Sequence, residues 1–364
     1  MRKHFWFAAA VLAVAGCLAG EIGFSPVTEA QGGDGDADGE GAAPAGDSGI
    51  GEPTEESGSE DEPSAGEGAG ATDPDVAGAA EDPLEPSEES FRFVAWGDTK
   101  TDTDVLAELS PQVREVGPSF SVYAGDLVPD GFDESAGTEW KEALNGWADN
   151  RLFDITYAMR GNHEREGSEE PWAAFFDFEG VAARVGSSRF SEQGEDLNYS
   201  FDHGNAHFVM LDVLGSVERI GSEELEWMDR DLSSAAARGL THAFLFWHGP
   251  IYQVANHCCS TNEEVTEVIN RHPIVSASFH GHEHTHAWVH IDEDRVPGTT
   301  HEFEQFIAGA AGAGPTECEP GRTDYCQDEQ HGFAAVTVAG RDFTVDFHVL
   351  GEPDPVYSLR FTKP

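Results

Sequence analysis

Three apolar runs in this chain each stop at a glycine followed by a residue able to hold a cation. Phe91-Arg92-Phe93-Val94-Ala95-Trp96 leads into Gly97-Asp98, and Phe120–Ala124 leads into Gly125-Asp126. Ile155–Met159 leads through Arg160 into Gly161-Asn162-His163-Glu164. Short apolar or alternating runs bounded by turn residues read as strands. A glycine at the strand end allows a tight turn that a Cβ would resist. Between the runs, Val105–Val116 has helical spacing, and a second helix is predicted around Trp140, Leu144 and Trp147. In open α/β sheets functional groups gather beyond the carboxyl ends of the strands. The recurrence therefore limits both the fold class and the end of the sheet at which chemistry is expected.

The remaining pattern extends this frame. Leu197–Phe201 and Ala206–Leu211 read as a hairpin around Asp202-His203-Gly204-Asn205. Ser222–Ala237 reads as a helix with Ser222 as N-cap, glutamates in its first turn, and an apolar face of Leu225, Met228 and Leu232. His242–Trp247 is a strand running into His248-Gly249-Pro250; Asn262–Arg271 is helical; Ile274–Phe279 is a strand running into His280-Gly281-His282-Glu283-His284. Strands dominate afterwards, at Ala287–Ile291, Phe303–Ala308, Phe333–Val338, Phe343–Val349 and Val356–Phe361. Gly309–Gly314 loosely fits a glycine-rich nucleotide loop, but Pro315 follows and no helix does, so a flexible turn is expected. The expected fold class is α/β, with two facing mixed β-sheets flanked by helices in four layers.

Residues 1–16 read as a signal peptide, because basic Met1-Arg2-Lys3 precedes an apolar run too short to span a bilayer. Val14-Ala15-Gly16-Cys17 resembles the bacterial lipobox, which implies cleavage before Cys17 and lipidation of its thiol. Leu18 in place of an aspartate favours the outer membrane over inner-membrane retention. The reading is an exported lipoprotein of the cell envelope, periplasmic or at the outer-membrane surface, held to the membrane by its lipid. From Leu18 to Ser90 the chain has no Lys or Arg and is rich in Asp, Glu, Gly, Ala, Ser and Pro. Such a segment cannot bury enough apolar surface to offset its ordering entropy. Residues 17–90 are therefore expected to be a lipidated cysteine and a disordered acidic tether, leaving 91–364 as the folded domain. The net charge of −49 argues against binding nucleic-acid backbones and is compatible with metal cations. Cys258, Cys259, Cys318 and Cys326 suggest disulfides in an exported chain, with three pairings open. Without a CxxC pair, zinc binding by these four is not expected.

The strand-end residues are Asp98, Asp126, Asn162, His163, His248, His282 and His284. Carboxylate, amide and imidazole together suit a pair of divalent transition metals. One carboxylate can bridge two ions, and ions about 3.5–4 Å apart can hold a hydroxide between them.

In this order, Gly97-Asp98, Gly125-Asp126, Gly161-Asn162-His163-Glu164, His248 and Gly281-His282-Glu283-His284 resemble the five motifs of the calcineurin-like metallophosphoesterases. Tyr199–Phe208 and Trp247-His248-Gly249-Pro250 resemble the purple acid phosphatase branch, and the resemblance runs from Phe91 to Val349. It implies hydrolysis of phosphomonoesters or phosphodiesters at two divalent or trivalent ions, zinc, manganese or iron. Asp126 would bridge the ions; Asn162, His248 and His282 would complete one site; Asp98 and His284 would belong to the other. His163 would lie outside the metal shell and protonate the leaving group or stabilise the phosphoryl oxygens.

One departure stands out. Many relatives have Asp-x-His in the first motif, where this chain has Lys100; purple acid phosphatases supply a tyrosine three residues after the bridging aspartate, where this chain has Pro129. One site has therefore lost a ligand by either route, and the charge-transfer colour of the purple enzymes is not expected. Lys100 and Arg160 are candidates to touch a substrate phosphate. Two other readings follow. The chain could be a metal-binding surface lipoprotein of the same fold with little or no turnover. His282-Glu283-His284-Thr285-His286 also spells HExxH, the zinc-protease pattern, which requires a helix; the β-branched run before it and the alternation after it argue for strands.

Overall fold

In the computed structural model of this chain, β1 (Phe91–Trp96) lies in the middle of a six-stranded sheet, paired on one side with β2 (Phe120–Tyr123) and on the other with β12 (Gly332–Ala339). The structure describes residues 90–165, 169–194, 197–212, 219–256 and 264–363. The segments expected to be a signal peptide and a tether, as far as residue 89 and with Cys17 among them, lie outside these residues, as do His257, Cys258 and Cys259. In the first sheet β1, β2 and β3 (Thr156–Ala158) run parallel, while β12, β13 (Asp342–Val349) and β14 (Tyr357–Thr362) pair antiparallel.

The second sheet has eight strands. Its parallel centre is β6 (Ala206–Met210), β7 (His242–Phe246), β8 (Val275–His280) and β10 (Phe303–Ala308). Antiparallel strands flank it: β5 (Asn198–His203) and β4 (Ser188–Gln193) on one side, β9 (His286–Ile291) and β11 (Tyr325–Gln327) on the other.

The inner faces of the sheets meet through aromatic rings. Phe93 packs edge-on against Phe208 at 5.2 Å, Phe120 against Phe208 at 5.0 Å, and Phe93 against Phe279 at 5.7 Å. Fully burying one such ring contributes about 1.5–3 kcal/mol, and an edge-to-face pair adds about 0.5–1.5 kcal/mol. Outside the first sheet lie α1 (Thr103–Glu115) and α2 (Glu134–Leu144), where Trp140 covers Tyr123 at 5.1 Å. In the shorter helices α3 (Glu170–Phe175) and α4 (Phe178–Val185), Trp172, Phe178 and Val181 are buried. Outside the second sheet, α5 (Ser222–Ala237) and α6 (Glu264–Ile269) bury Met228, Leu232, Val265 and Ile269 with Leu245 and Val275. Strands covered on both faces read as continuous apolar runs, and β7 and β8 are buried along their whole length. The four layers match the expectation from sequence.

Several local expectations differ from the structure. The second helix ends at Leu144; Gly146 and Trp147 both turn left-handed, at φ of 67° and 51°, and Trp147 is left outside the helix and exposed. The N-cap of α5 is Gly221, with no side-chain cap bond, so Ser222 is already in the first turn. HExxH forms no helix: His282 and His284 have φ of 71° and 44°, which a right-handed helix excludes, and His286 opens β9. Of the three open disulfide pairings, the structure joins Cys318 to Cys326. Among the described residues no helix is long and apolar enough to cross a membrane.

Candidate metal centre

The turns after β1, β2, β3, β7 and β8 converge at one end of the sandwich. The turns after β1, β2 and β8 carry residues in a restricted backbone conformation. Asp98, Lys100, Asp126, His282 and His284 all have positive φ, between 44° and 71°. Non-glycine residues pay for that backbone region, and such strain collects at functional sites. Hydrogen bonds hold the turns: Asp98 N–H donates to Gly125 O at 3.0 Å and Lys100 N–H to Asp126 O at 3.0 Å. The stretch expected to be a flexible glycine-rich turn clamps the first motif, with Ala311 N–H on Gly97 O at 2.9 Å and Ala313 N–H on Asp98 O at 2.7 Å. Two glycines are required for space: a Cβ on Gly161 would collide with Asp126 Oδ1, and a Cβ on Gly281 would collide with Asp98 Oδ2.

Asp98, Asp126 and His248 are fully buried, and their ligand atoms all lie within 4.8 Å of one another. His248 donates Nδ1–H to Ala124 O at 2.7 Å, which turns the lone pair of Nε2 inward. That nitrogen lies 3.2 Å from Asn162 Oδ1 and 3.3 Å from Asp126 Oδ1; His282 Nδ1 lies 3.1 Å from Asn162 Oδ1. Ligands held about 2.0–2.2 Å from one ion sit about 3 Å from each other, so this donor set fits a divalent transition metal. Asp98 accepts from His282 N–H with both oxygens, at 3.0 and 2.9 Å, and lies 3.6 Å from His284 Nε2. Burial pushes the Asp98 carboxyl well above the usual range; His248 and Lys100 oppose this and Asp126 adds to it. Burial also works against ionisation of Asp126, but His248, Lys100 and His163 outweigh it and hold that carboxyl below the usual range. Two carboxylates driven apart in this way favour a neighbouring cation.

Lys100 is pulled inward. Its Nζ lies 3.0 Å from Asp126 Oδ2 and its side chain is 11% exposed, which places the ammonium on the aspartate. Arg160 is held by carboxylates: it donates to Asp212 at 3.1 and 2.6 Å and to Glu169 at 3.2 Å. Its guanidinium is thereby engaged within the protein, and among the described residues no contact brings it to the ligand cluster. His163 sits at the rim, 28% exposed, with Nδ1 bonded to the Pro129 carbonyl and Nε2 3.9 Å from Asp126 Oδ2. Its backbone N–H donates to Asp126 Oδ1 at 3.1 Å.

Two buried glutamates stand behind the ligands, and their roles were not legible in the sequence. Glu164 accepts from Asp126 N–H at 2.8 Å, Gly161 N–H at 2.7 Å and Val128 N–H at 3.0 Å, tying the second and third motifs together. Glu283 accepts from Val254 N–H at 2.9 Å and Ala255 N–H at 3.1 Å, tying the His282–His284 turn to the loop after β7; burial pushes its carboxyl up to about 7. An acid directly beside ligand histidines was the available signal, but sequence does not show which N–H groups it meets.

Most other histidines are occupied elsewhere. His207 lies between Asp202 at 2.7 Å and Asp231 at 2.9 Å, and His280 bonds Trp247 O at 2.9 Å and Ser278 Oγ at 2.9 Å. A cavity of about 260 Å³, lined by Lys100, Leu127, Val128, Pro129 and Trp140, adjoins the cluster. A cavity of about 530 Å³ lies at the opposite end of β8, lined by Ser276, Phe343, Phe361 and Lys363, and contains none of the ligands.

Comparison with known proteins agrees with this geometry. The family model described as calcineurin-like phosphoesterase matches residues 91–286. A purple acid phosphatase from yellow lupin (Lupinus luteus) seeds has a similar fold, with TM-score 0.58 and 16% identity over 77% of this chain and 55% of that one. This chain thus spans about half the length of the lupin protein. GAP50, the anchor in the inner membrane complex of Plasmodium, aligns with TM-score 0.53 and 13% identity over 76% of this chain and 89% of that one. PhoD aligns with TM-score 0.53 and 13% identity over 77% and 71%. At such identities the likeness is one of fold. No curated protein matches the chain in sequence. The matched residues cover more than half of the chain and include every metal-ligand candidate, and the chain belongs to the calcineurin-like phosphoesterase family.

Proposed function

We propose that this chain hydrolyses phosphoesters at a metal centre held by Asp126, Asn162, His248 and His282, with Asp98 and His284 beside them. The observation that carries this reading is the convergence of lone-pair donors from four separate turns, about 3 Å apart, on buried ground. A bound divalent ion supplies positive charge for phosphoryl oxygens and lowers the pKa of water. The chain's own groups do the rest. Asp126 is positioned through Glu164, and His248 is fixed in one tautomer by Ala124 O. His163 is pinned through Nδ1 by Pro129 O, so its Nε2 is the atom able to hold a proton for a leaving group at the rim. The two-ion form expected from the resemblance depends on Lys100, whose ammonium lies on Asp126.

The test is hydrolysis of a chromogenic phosphomonoester and a phosphodiester by the purified full chain supplied with Mn²⁺, Zn²⁺ or Fe²⁺, with and without chelator. Chelator-sensitive turnover is expected, and the faster substrate assigns the ester class. Bound metal with no turnover of either ester would favour a second reading, a surface protein of this fold without catalysis. One observation favours that alternative: Lys100 on the shared aspartate.

We also propose that the chain is an exported lipoprotein anchored through Cys17, on the basis of the basic, apolar and lipobox order of its first residues.

A further inference from the structure

We infer that Lys100 takes the place of the second metal ion, so that this centre holds one ion and one ammonium in place of two ions. The inference rests on the metal centre proposed above but not on its turnover.

The argument starts from Asp126, the carboxylate that would be shared between two ions. Its oxygens are divided between two neighbours. Oδ1 faces His248 Nε2 at 3.3 Å, on the side where Asn162 and His282 also converge. Oδ2 faces Lys100 Nζ at 3.0 Å. A carboxylate that bridges two ions with one oxygen each would need Oδ2 for the second ion, and here Oδ2 carries a fixed cation of the protein.

Lys100 is not a passing surface contact. Its side chain is 11% exposed and that of Asp126 is 0% exposed. Its backbone is locked left-handed at φ 45° and its N–H is bonded to Asp126 O at 3.0 Å, so the main chain and the ammonium bind the same aspartate. A buried carboxylate with an ion pair and a backbone contact from one residue resists displacement by a competing cation, because an ammonium left without its partner there is costly.

Ligand supply and charge agree. Among the described residues, the second position has Asp98 and His284 beside Oδ2, 3.6 Å apart, and Asp98 already accepts the His282 N–H with both oxygens. The first position has Asp126, Asn162, His248 and His282. Two buried carboxylates facing two divalent ions and an ammonium would carry a large excess of positive charge in a largely buried site. One divalent ion and one ammonium come much nearer to balance.

The experiment is metal counting on the full chain after reconstitution with excess Mn²⁺ and removal of free ion. Elemental analysis is expected to give close to one Mn per chain, and the electron paramagnetic resonance spectrum is expected to be that of an isolated Mn²⁺. Lys100→His supplies an imidazole in place of the ammonium and is expected to raise the count toward two, with a spin-coupled signal. Two Mn per wild-type chain with a coupled spectrum would overturn the inference. A Lys100→His protein that folds and still binds one ion would also overturn it, since Lys100 would then not be what excludes the second. If Lys100→His does not fold, Lys100→Gln, which keeps the length and removes the charge, is expected to admit a second, weaker ion at millimolar Mn²⁺, and its failure to do so counts against the inference in the same way. A wild-type chain that binds no metal would remove the proposed centre altogether. One ion bound, with no turnover of either ester under Mn²⁺, Zn²⁺ or Fe²⁺, would count against phosphoester hydrolysis and leave the present inference standing.

Discussion

Replacing Glu164 by glutamine tests how the ligand turns are held. The carboxylate accepts three backbone N–H groups, from Asp126, Gly161 and Val128, and is buried. A glutamine has one acceptor oxygen. Placed where Oε2 now sits, that oxygen keeps Asp126 and Gly161 and turns its own N–H groups on Val128. One hydrogen bond to a charged acceptor is then lost, a cost of about 1.5–3 kcal/mol. Alanine would strand all three donors, at about 1–3 kcal/mol each, which approaches the whole stability of a typical domain, about 5–15 kcal/mol. Glutamine is therefore the informative variant. Urea unfolding in the presence of chelator should show the loss without contribution from metal. Calorimetric titration with Mn²⁺ should show binding about 10–100-fold weaker, the usual effect of removing a group that orients ligands. An unfolding free energy within about 0.5 kcal/mol of wild type, together with unchanged Mn²⁺ affinity, would refute the idea that Glu164 organises the site.

Three further outcomes are expected. His163→Ala should retain its metal by elemental analysis and lose turnover by about 10²–10⁴-fold, most for substrates with poor leaving groups; parallel loss of metal would make His163 a ligand. A chain beginning at Ser90 should fold and keep the metal-dependent activity, while Cys17→Ala in the full chain should leave the membrane fraction for the soluble one. Burial alone would lower the His207 pKa, but its hydrogen bonds to Asp202 and Asp231 outweigh this and raise it. The folded protein therefore holds the His207 proton more tightly than the unfolded chain does. That stability is present in full below about pH 6.5, the ordinary histidine value, and is lost as pH rises through the higher folded value. Urea unfolding between pH 5.5 and 9 should show a steeper decline in wild type than in His207→Gln, where His290, whose pKa is also raised, still contributes.

The strands that carry the site were legible because their apolar runs are long enough and end in glycine. What escaped the sequence lacked such a signal. β4 is a mostly exposed edge strand with no apolar alternation, and β11 has three residues. α3 has six residues, too few to show a helical period, and starts at Glu170-Pro171 beside clustered aromatics. The ligand types could be read from their order along the chain, but the pairing of Lys100 with Asp126 could not. It depends on left-handed turns at both residues, which bring together side chains from two strands. Arg160 shows the same limit: its partner Asp212 is far away in sequence and nothing near Arg160 announces it.

The family match ends at residue 286, yet β1 is hydrogen-bonded along its far edge to β12, with Phe91 opposite Val338 and Ala95 opposite Ala334. The strand that delivers Asp98 is therefore finished by a segment that emerges from synthesis long after it. Until that segment arrives, β1 presents an open edge, the kind of surface on which chains pair with one another. Residues 91–286 cut out as a minimal catalytic unit would keep every ligand candidate and still leave that edge bare, so such a fragment is expected to aggregate. For this protein the boundary of what must be expressed together is set by strand pairing and lies well beyond the last residue with a chemical role.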